Sequence, residues 1–194
     1  MKKGFLLVIS GPSGVGKGTV CDSLIKKRND IKYSVSATTR KKRPNEIDGE
    51  NYYFLSLDEF KQKIEDGDFL EYAQVHNNFY GTPKSFVLEE IEKGEIVILE
   101  IDVQGALQVK KSYPGAVFVF LLPPDLEELR RRIVGRNTED EETVNLRMKN
   151  AETELGFIDE YDYAVTNNWV EDTVSKIESI IEAERLKVVK DRRV

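Results

Sequence analysis

The sequence predicts an α/β fold with a parallel core sheet, and three observations lead to that class. The runs GFLLVIS (4–10), EIVILEID (95–102) and AVFVFLL (116–122) are almost continuously apolar, which is typical of strands buried on both faces. Segments with helical spacing of apolar residues lie between or after these runs, so strands and helices alternate along the chain. The first run also leads into a glycine-rich segment and then a helix, an order found where α/β sheets bind phosphate.

The remaining core elements are justified in chain order. A helix is predicted from Lys17 to Lys27, because Val20 and Leu24 would share an inward face. Further helices are predicted near 106–111 and 125–134, and the short run YAVTN (163–167) is predicted to be a final strand. From Val170 onwards, apolar residues recur at helical spacing, which predicts a C-terminal helix.

Two segments interrupt this alternation and divide the single predicted domain, 1–194, into parts. Residues 35–95 contain short aromatic-rich runs with glycine turns, which favour a small mixed sheet over a strand–helix unit. Residues 129–155 predict an exposed, heavily charged helical hairpin with few apolar residues to hold it, as expected of a movable lid. The predicted core then comprises 1–34, 96–128 and 156–194.

Composition narrows the classes of protein. The 194 residues are 40% apolar and 33% charged, as in globular chains, and the net charge of −6 argues against a broad nucleic-acid-binding surface. Cys21 is the only cysteine, which rules out an internal disulfide framework and fits a reducing cytosol. The apolar part of MKKGFLLVIS is too short for a signal peptide, and no run approaches the ~20 residues of a membrane span. We therefore expect a cytoplasmic protein that binds neither membranes nor nucleic acid.

The segment GPSGVGK (11–17) matches the pattern G-x-x-x-x-G-K and lies between a predicted strand and a predicted helix. That context favours a phosphate-binding loop, in which backbone N–H groups and the helix N-terminus surround the phosphates and Lys17 adds a full charge. The alternative is a glycine-rich turn with a solvated lysine. The residues predicted to contact a nucleoside triphosphate are Gly11, Pro12, Ser13, Gly14, Val15, Gly16, Lys17, Gly18 and Thr19.

Gly18 occupies the position after the lysine, where many phosphate loops place a Ser or Thr that holds Mg²⁺. The Thr19 side chain is turned about 100° further around the helix, so we expect no direct metal ligand from this loop. Mg²⁺ would then be held by ATP phosphate oxygens and water. Glu100 and Asp102, at the end of a core strand, could hold such waters or the phosphate acceptor, or they could simply be solvated.

Four consecutive cations, Arg40 to Arg43, precede a proline in the segment SATTRKKRPNE. Two ordinary interpretations are a nucleic-acid or localisation patch and a solvated loop. We favour a clamp in which Arg40 and Arg43 grip one phosphate monoester through bidentate hydrogen bonds. The guanine-reading motif N-K-x-D of G proteins is not apparent in the sequence, so the phosphate loop and this clamp together favour a kinase.

Several segments resemble those of guanylate kinases and occur in the same order. They are SGPSGVGKGT, SATTRKKRPNEIDGENYYF, FLEYAQVHNNFYGTP, ILEIDVQGALQVK and GRNTEDEETVNLRM. The resemblance covers nearly the whole chain and implies a three-layer P-loop nucleoside monophosphate kinase fold, with a parallel core sheet, a small mixed GMP-binding insert and a helical lid. It also implies the reaction of ATP with GMP to give ADP and GDP in purine nucleotide metabolism, with dGMP as a further acceptor and Mg²⁺ as cofactor.

The same resemblance assigns site residues. The GMP site would be lined by Ser36, Arg40, Arg43, Tyr52, Glu71, Tyr80, Thr82 and Glu100, to which we add Asp102. The lid would bring Arg132, Arg136 and Arg147 over the transferred phosphoryl group, although each could instead form a surface ion pair with nearby glutamates. Asn167, after the final strand, is a candidate for adenine contact, with a turn residue as the alternative.

The chemistry of guanine agrees with these assignments. Glu71 could accept from N1–H and the exocyclic amine, while Ser36 or Thr82 could donate to O6; adenine would place an acceptor against the carboxylate. Tyr52 and Tyr80 could reach the GMP phosphate through their hydroxyls, or they could simply fill the core of the insert. Cations on both sides would offset the charge that develops during in-line phosphoryl transfer.

Two other functions remain open on sequence grounds. A kinase for AMP or a pyrimidine monophosphate is one, and the Ser36 and Glu71 pair argues against it. The other is a catalytically silent protein-binding module, and the presence of Lys17 with the arginines argues against that role. His76, the only histidine, lies in a predicted turn and is expected to be solvated. The sequence leaves open whether the chain forms homo-oligomers.

Overall fold

The fold contains two sheets, which we number with their helices in chain order. The computed structural model describes residues 4–75, 77–135 and 141–188. The strands are β1 (Phe5–Ser10), β2 (Ile31–Tyr33), β3 (Ala37–Thr38), β4 (Tyr53–Phe54), β5 (Phe69–Val75), β6 (Asn78–Pro83), β7 (Ile96–Glu100), β8 (Val117–Leu122) and β9 (Tyr163–Thr166). The helices are α1 (Lys17–Lys27), α2 (Leu57–Glu65), α3 (Lys84–Glu92), α4 (Val103–Ser112), α5 (Leu126–Val134), α6 (Glu141–Leu155) and α7 (Val170–Leu186). None of these helices is long and apolar enough to cross a membrane.

The first sheet has five strands, all parallel, in the order β2-β7-β1-β8-β9. Its register places Ile9 opposite Glu100 and Ser10 opposite Phe120, so the carboxyl ends of the three middle strands lie side by side. The loops that leave this edge carry the glycine-rich segment and Asp102. Ligands of open parallel sheets bind at this kind of edge.

β1 is buried on both faces, and its alternating side chains belong to two separate apolar clusters. Leu7 and Ile9 pack with side chains of α1 and α7. Leu6 and Val8 pack with side chains of α3 and α4 on the other face. Helices therefore cover both faces of the parallel sheet, which confirms the predicted three-layer α/β arrangement.

The second sheet has four strands in the order β4-β3-β6-β5, and it is mixed: β3 pairs parallel with β4 and antiparallel with β6. One face covers an apolar cluster in which the Phe60 ring of α2 lies 4.5 Å from Phe69 and 5.6 Å from Phe79, between ring centroids. Strand alternation turns Tyr80 and Thr82 to the opposite face. The small mixed sheet expected from the sequence is therefore present, with one apolar and one polar face.

Two short strands and two helices go beyond the sequence prediction: β2, β3, α2 and α3. Helix α2 begins with a complete capping box, in which Ser56 Oγ accepts the Glu59 N–H at 3.2 Å and Glu59 Oε2 accepts the Ser56 N–H at 2.8 Å. Helix α3 packs on the first sheet, where Val87 is buried in the same cluster as Leu6. The segment 84–92, which the sequence places within 35–95, is thus part of a core layer.

Helices α5 and α6 pack against each other through a small apolar cluster of their own. It consists of Leu129, Ile133, Val144 and Ala151, with Met148 packed against it. The cluster is small, in keeping with the few apolar residues that the sequence offers to hold this hairpin. The hairpin owes its cohesion to internal packing, because the residues that it buries form a cluster distinct from the two clusters of the core sheet.

Phe60 should be a main determinant of the stability of the second sheet. Phe60→Ala removes a fully buried ring that contacts two others, so we expect the free energy of unfolding to fall by about 3 kcal/mol. Leu57→Ala, on the same helix but at a side chain 46% exposed, is the control and should change it by less than about 1 kcal/mol. Urea unfolding followed by circular dichroism measures both, and equal effects would contradict this account of the packing.

Candidate active site

The glycine-rich segment forms a loop that joins β1 to α1. Gly14 and Gly16 have φ angles of +87° and +98°, and Gly16 occupies the N-cap position of α1. A Cβ on Gly16 would lie 2.7 Å from Nδ2 of Asn167, so both the backbone angle and the close approach require glycine. The loop therefore sits over the N-terminus of α1, where N–H groups and the helix dipole favour an anion.

Lys17 is the first residue of α1, and its ammonium group reaches back into the loop. Nζ donates to the carbonyl oxygen of Gly11 at 2.7 Å and to that of Pro12 at 3.4 Å. Burial lowers the pKa of Lys17. The negative charges of Glu154 and, to a smaller extent, Glu100 oppose that shift. A buried ammonium group bonded to neutral carbonyl oxygens is well placed to bind a polyanion, because the ligand would supply the full negative charge that the carbonyl groups lack.

A cavity of about 640 Å³ opens beside the loop. Its lining residues are Ser13, Gly14, Gly16, Lys17, Gly18, Thr19, Asp22, Glu100, Ile101, Asp102 and Glu154. One ammonium group thus shares the cavity with several carboxylates. Phosphate in such a cavity would be repelled by the carboxylates unless a further cation lay between them.

The carboxylates of this cavity fit a magnesium ion that is bound mainly through water and phosphate. A Cβ added to Gly18 would lie 3.5 Å from both carboxylate oxygens of Glu100. Glu100 Oε2 accepts a hydrogen bond from the Tyr33 hydroxyl at 2.9 Å, whereas Asp102 Oδ1 accepts the Gly105 N–H at 2.8 Å and caps α4. Among the described residues, no group of three or more acidic, His or Cys side chains is arranged to hold a metal directly. This donor set suits the preference of Mg²⁺ for retaining waters.

Helix α6 reaches the phosphate loop through two side chains. Arg147 Nη2 donates to Ser13 Oγ at 2.8 Å, and Glu154 Oε2 accepts the Ser13 N–H at 3.3 Å. Burial raises the pKa of Glu154, while the hydrogen bond from Ser13 and the charge of Lys17 act in the opposite direction. The hairpin thus brings one cationic and one carboxyl group to the same loop residue.

Arg132 connects α5 to the backbone of the site. Its Nε donates to Glu128 Oε1 at 2.7 Å, and its Nη1 donates to the carbonyl oxygens of Val15 at 3.2 Å and Asn167 at 3.1 Å. The guanidinium therefore forms an ion pair with Glu128 on its own helix, as the alternative interpretation expected, and also binds the backbone of the phosphate loop at Val15. Arg136, the third predicted lid arginine, lies outside the described residues, as does His76.

Asn167 follows β9 and is buried. Its Nδ2 donates to the carbonyl oxygen of Val15 at 2.8 Å, and its Oδ1 accepts from the Thr173 hydroxyl at 2.9 Å. The side chain therefore fastens the phosphate loop to α7, and the predicted adenine contact would have to use the second N–H of Nδ2 or the second lone pair of Oδ1. A cavity of about 190 Å³ adjoins it, and Thr19 and Asn168 are among the residues that line it.

On the polar face of the second sheet, Glu71 and Thr82 form a buried pair. The Thr82 hydroxyl donates to Glu71 Oε1 at 2.6 Å, and burial raises the pKa of Glu71, against the effect of that hydrogen bond. The other oxygen, Oε2, lies 3.4 Å from the position that a Cβ on Gly105 would take, so it faces the N-terminus of α4. The Thr82 hydroxyl thus already has an acceptor, whereas Ser36, the other predicted donor to guanine O6, is half-buried just before β3.

The run of cations belongs to the connection between β3 and β4. The Arg40 guanidinium forms a bidentate ion pair with Glu46, at 2.6 Å and 3.0 Å, and its Cζ lies 5.4 Å from the Tyr52 ring centroid. The rings of Tyr52 and Tyr80 meet edge to face at 6.0 Å. The Arg43 N–H also donates to Glu46, at 2.8 Å. Arg40, Tyr52 and Tyr80 are thus neighbours, and Glu46 links Arg40 to the backbone of Arg43.

Comparison with known proteins identifies the family to which this chain belongs. The family model described as guanylate kinase matches residues 3–184. The chain is 55% identical to a guanylate kinase from Clostridium tetani over 188 residues, which cover 97% of this chain and 90% of the relative. It is 53% identical to one from Caldanaerobacter subterraneus subsp. tengcongensis over 191 residues, which cover 98% and 93%. The crystal structure of guanylate kinase from Anaplasma phagocytophilum matches with a TM-score of 0.74 at 34% identity, covering 97% of this chain and 89% of that one.

The chain belongs to the guanylate kinase family. The resemblance proposed from its motifs is therefore confirmed, and so are the α/β fold class and the assignment as an enzyme.

Three residues of this guanylate kinase site go beyond the sequence prediction. Tyr33 and Glu154 contact predicted site residues that are 67 and 141 positions away, and no local pattern reports contacts of that range. The contact of Glu46 with the arginines could have been predicted, because Glu46 is an acidic residue that closely follows a run of four cations.

The buried carboxyl of Glu71 should reduce the stability of this guanylate kinase at neutral pH. A carboxyl whose pKa in the folded state lies above its ordinary 4.5 is costly to ionise, so the cost is absent below pH 4.5 and grows as the pH rises through the raised value. Glu71→Gln keeps an acceptor for Thr82 without the charge. We expect it to raise the melting temperature near pH 7 and to lose that advantage below pH 4.5.

Thermal unfolding of the two proteins from acid to neutral pH measures this difference. Glu65→Gln, at an exposed carboxylate on α2, is the control and should show no comparable change with pH. A gain for Glu71→Gln that is constant across the pH range would show that the buried charge is not its cause.

Proposed function

We propose that this chain catalyses the ATP-dependent phosphorylation of GMP to GDP and accepts dGMP as well. One observation supports this most strongly: the chain combines a buried carboxylate, Glu71, with two cation-bearing loops that suit different phosphates. Lys17 belongs to the loop suited to a triphosphate, and Arg40 belongs to the loop suited to a monoester. The buried carboxylate of Glu71 suits the two adjacent donors of guanine, N1–H and the exocyclic amine.

On the ATP side, the loop N–H groups and the Lys17 ammonium would hold the β- and γ-phosphates. Glu100 and Asp102 would hold waters around Mg²⁺, which supplies neutralisation of phosphate charge when it accompanies ATP. Arg147, which already contacts the phosphate loop through Ser13, would stabilise the negative charge of the phosphoryl group during its transfer to the acceptor. Arg132 and Arg136 are proposed to assist it from the same hairpin.

On the GMP side, Glu71 Oε2 would accept from guanine while Oε1 remains bonded to Thr82. Ser36 would donate to O6, and Arg40, Arg43, Tyr52 and Tyr80 would surround the monoester. Adenine would set its N1 lone pair against the carboxylate, and a lost bidentate base contact of this type costs about 1–3 kcal/mol. Leaving Oε2 of the buried carboxylate without a donor would add to that discrimination.

The proposal includes a cellular setting. We propose that the enzyme acts in the cytoplasm, in purine nucleotide metabolism, with ATP and GMP or dGMP as its ligands and no nucleic-acid or membrane partner. The proposal also allows for a homo-oligomer.

A coupled assay with ATP and Mg²⁺ across GMP, dGMP, AMP, CMP and UMP tests the proposed function. We expect kcat/KM for GMP to exceed that for AMP by at least about 100-fold. Lys17→Ala should lower kcat by at least about 10³-fold while leaving the circular dichroism spectrum unchanged, because it removes charge that the transition state requires. Lys26→Ala, exposed on the same helix, should leave kcat within about twofold of the unmodified enzyme.

Comparable rates with AMP and GMP would contradict the proposed acceptor. Full activity of Lys17→Ala would contradict the assignment of the phosphate loop. No turnover with any monophosphate would favour a silent binding module instead.

A further inference from the structure

Glu46 joins the two arginines of the proposed monoester clamp through one carboxylate. Oε1 accepts from Nη2 of Arg40 at 2.6 Å, and Oε2 accepts from Nη1 of Arg40 at 3.0 Å and from the Arg43 N–H at 2.8 Å. The Glu46 N–H donates in turn to the carbonyl oxygen of Arg43 at 3.1 Å. The guanidinium of one arginine and the backbone of the other are therefore fixed to the same side chain.

The geometry also determines which edge of the guanidinium is directed away from Glu46. A guanidinium has five N–H groups. Both of those on Nη1 are directed at protein acceptors, Glu46 and the carbonyl oxygen of Lys41 at 2.9 Å, and one on Nη2 is directed at Glu46. The other two, on Nε and Nη2, lie along a second edge, whose spacing matches two oxygens of a phosphate.

Aromatic rings restrain the guanidinium further. Cζ of Arg40 lies 5.4 Å from the Tyr52 centroid and 5.8 Å from the Phe54 centroid. The side chains of Arg40 and Glu46 are only 17% and 16% exposed, so their ion pair is better shielded than an ordinary surface pair. Contact with Glu46, and secondarily with Tyr80, raises the pKa of Arg40.

We propose that Glu46 is a positioning residue for the monoester acceptor, which holds Arg40 so that its Nε–Nη2 edge faces the phosphate. This inference rests on the proposed function and deepens it. Glu46 acts through Arg40 and would not itself touch the substrate. It also offsets the mutual repulsion of the four consecutive cations at 40–43, which would otherwise open the loop.

A competing role for Glu46 is that of a phosphate mimic, which GMP would have to displace from Arg40. The geometry favours positioning over competition, because the carboxylate uses the Nη1–Nη2 edge and does not occupy the Nε–Nη2 edge. The bonds to the Arg43 backbone also anchor Glu46 within the turn. The two roles predict opposite changes in GMP affinity when the charge of Glu46 is removed.

Steady-state kinetics of Glu46→Gln with GMP varied at saturating ATP tests the proposal. We expect KM for GMP to rise about tenfold, with kcat and KM for ATP within about threefold of the unmodified enzyme, since the charge-assisted bonds that orient Arg40 are weakened. Inhibition by guanosine, which has the base but no phosphate, should be unchanged. Glu50→Gln, an exposed carboxylate in the same loop, makes the same change of charge and should leave all of these constants within about twofold.

Each other outcome overturns the inference. A lower KM for GMP in Glu46→Gln would identify Glu46 as a competitor, and an unchanged KM would leave it without a role in acceptor binding. Equal weakening of GMP and guanosine would indicate general damage to the second sheet. If the unmodified enzyme fails to phosphorylate GMP, the proposed function fails first and this inference fails with it.

Discussion

The ammonium group of Lys17 lies among backbone carbonyls at the carboxyl edge of a parallel sheet, and the rest of the site is arranged around that charge. The group is buried because β1 and α1 are joined by a loop that only glycine can follow at Gly14 and Gly16. Its burial would be unfavourable without nearby negative charge, and Glu154 and Glu100 supply it. The same carboxylates make the cavity suitable for a phosphate that arrives with its own cation rather than alone.

The acceptor side depends on a different constraint, which is the division of the second sheet into an apolar and a polar face. Packing of Phe60 against Phe69 fixes the apolar face. The polar face can then hold Glu71 and Thr82 in a buried hydrogen bond. Burying the ionised carboxylate of Glu71 lowers the stability of the free protein, and a ligand that donates hydrogen bonds to the carboxylate would offset that loss. Under the proposed function, the buried pair of Glu71 and Thr82 would read the base, and the cationic loop beside it would depend on Glu46 for its order.

Much of the fold could be predicted from the sequence, because the core strands carry long apolar runs and the phosphate loop is a contiguous motif. The elements that could not be predicted have weaker signals. β3 spans only Ala37–Thr38 and is defined by its partners on both sides, not by a pattern of its own. The cluster that holds the hairpin together is built from few residues, so charge dominates its sequence.

The same distinction applies to the site. Gly11 to Lys17 could be identified from spacing alone, and the residues proposed for GMP came from resemblance to a family. Contacts such as that between Ser13 and Glu154 depend on how α6 packs on the loop, which no local pattern encodes. Asn167 could be named as a candidate for adenine contact because it follows the final strand, but its bonds to Val15 and Thr173 depend on the position of α7.

The most direct measurement is a crystal structure of the protein with GMP and a non-hydrolysable ATP analogue bound together. In that structure the Glu71 carboxylate should accept from the guanine ring, the Nε–Nη2 edge of Arg40 should meet the monoester, and Lys17 should contact the triphosphate. A Glu71 side chain turned away from the purine, or Arg40 and Arg43 directed into bulk solvent, would contradict the proposed site.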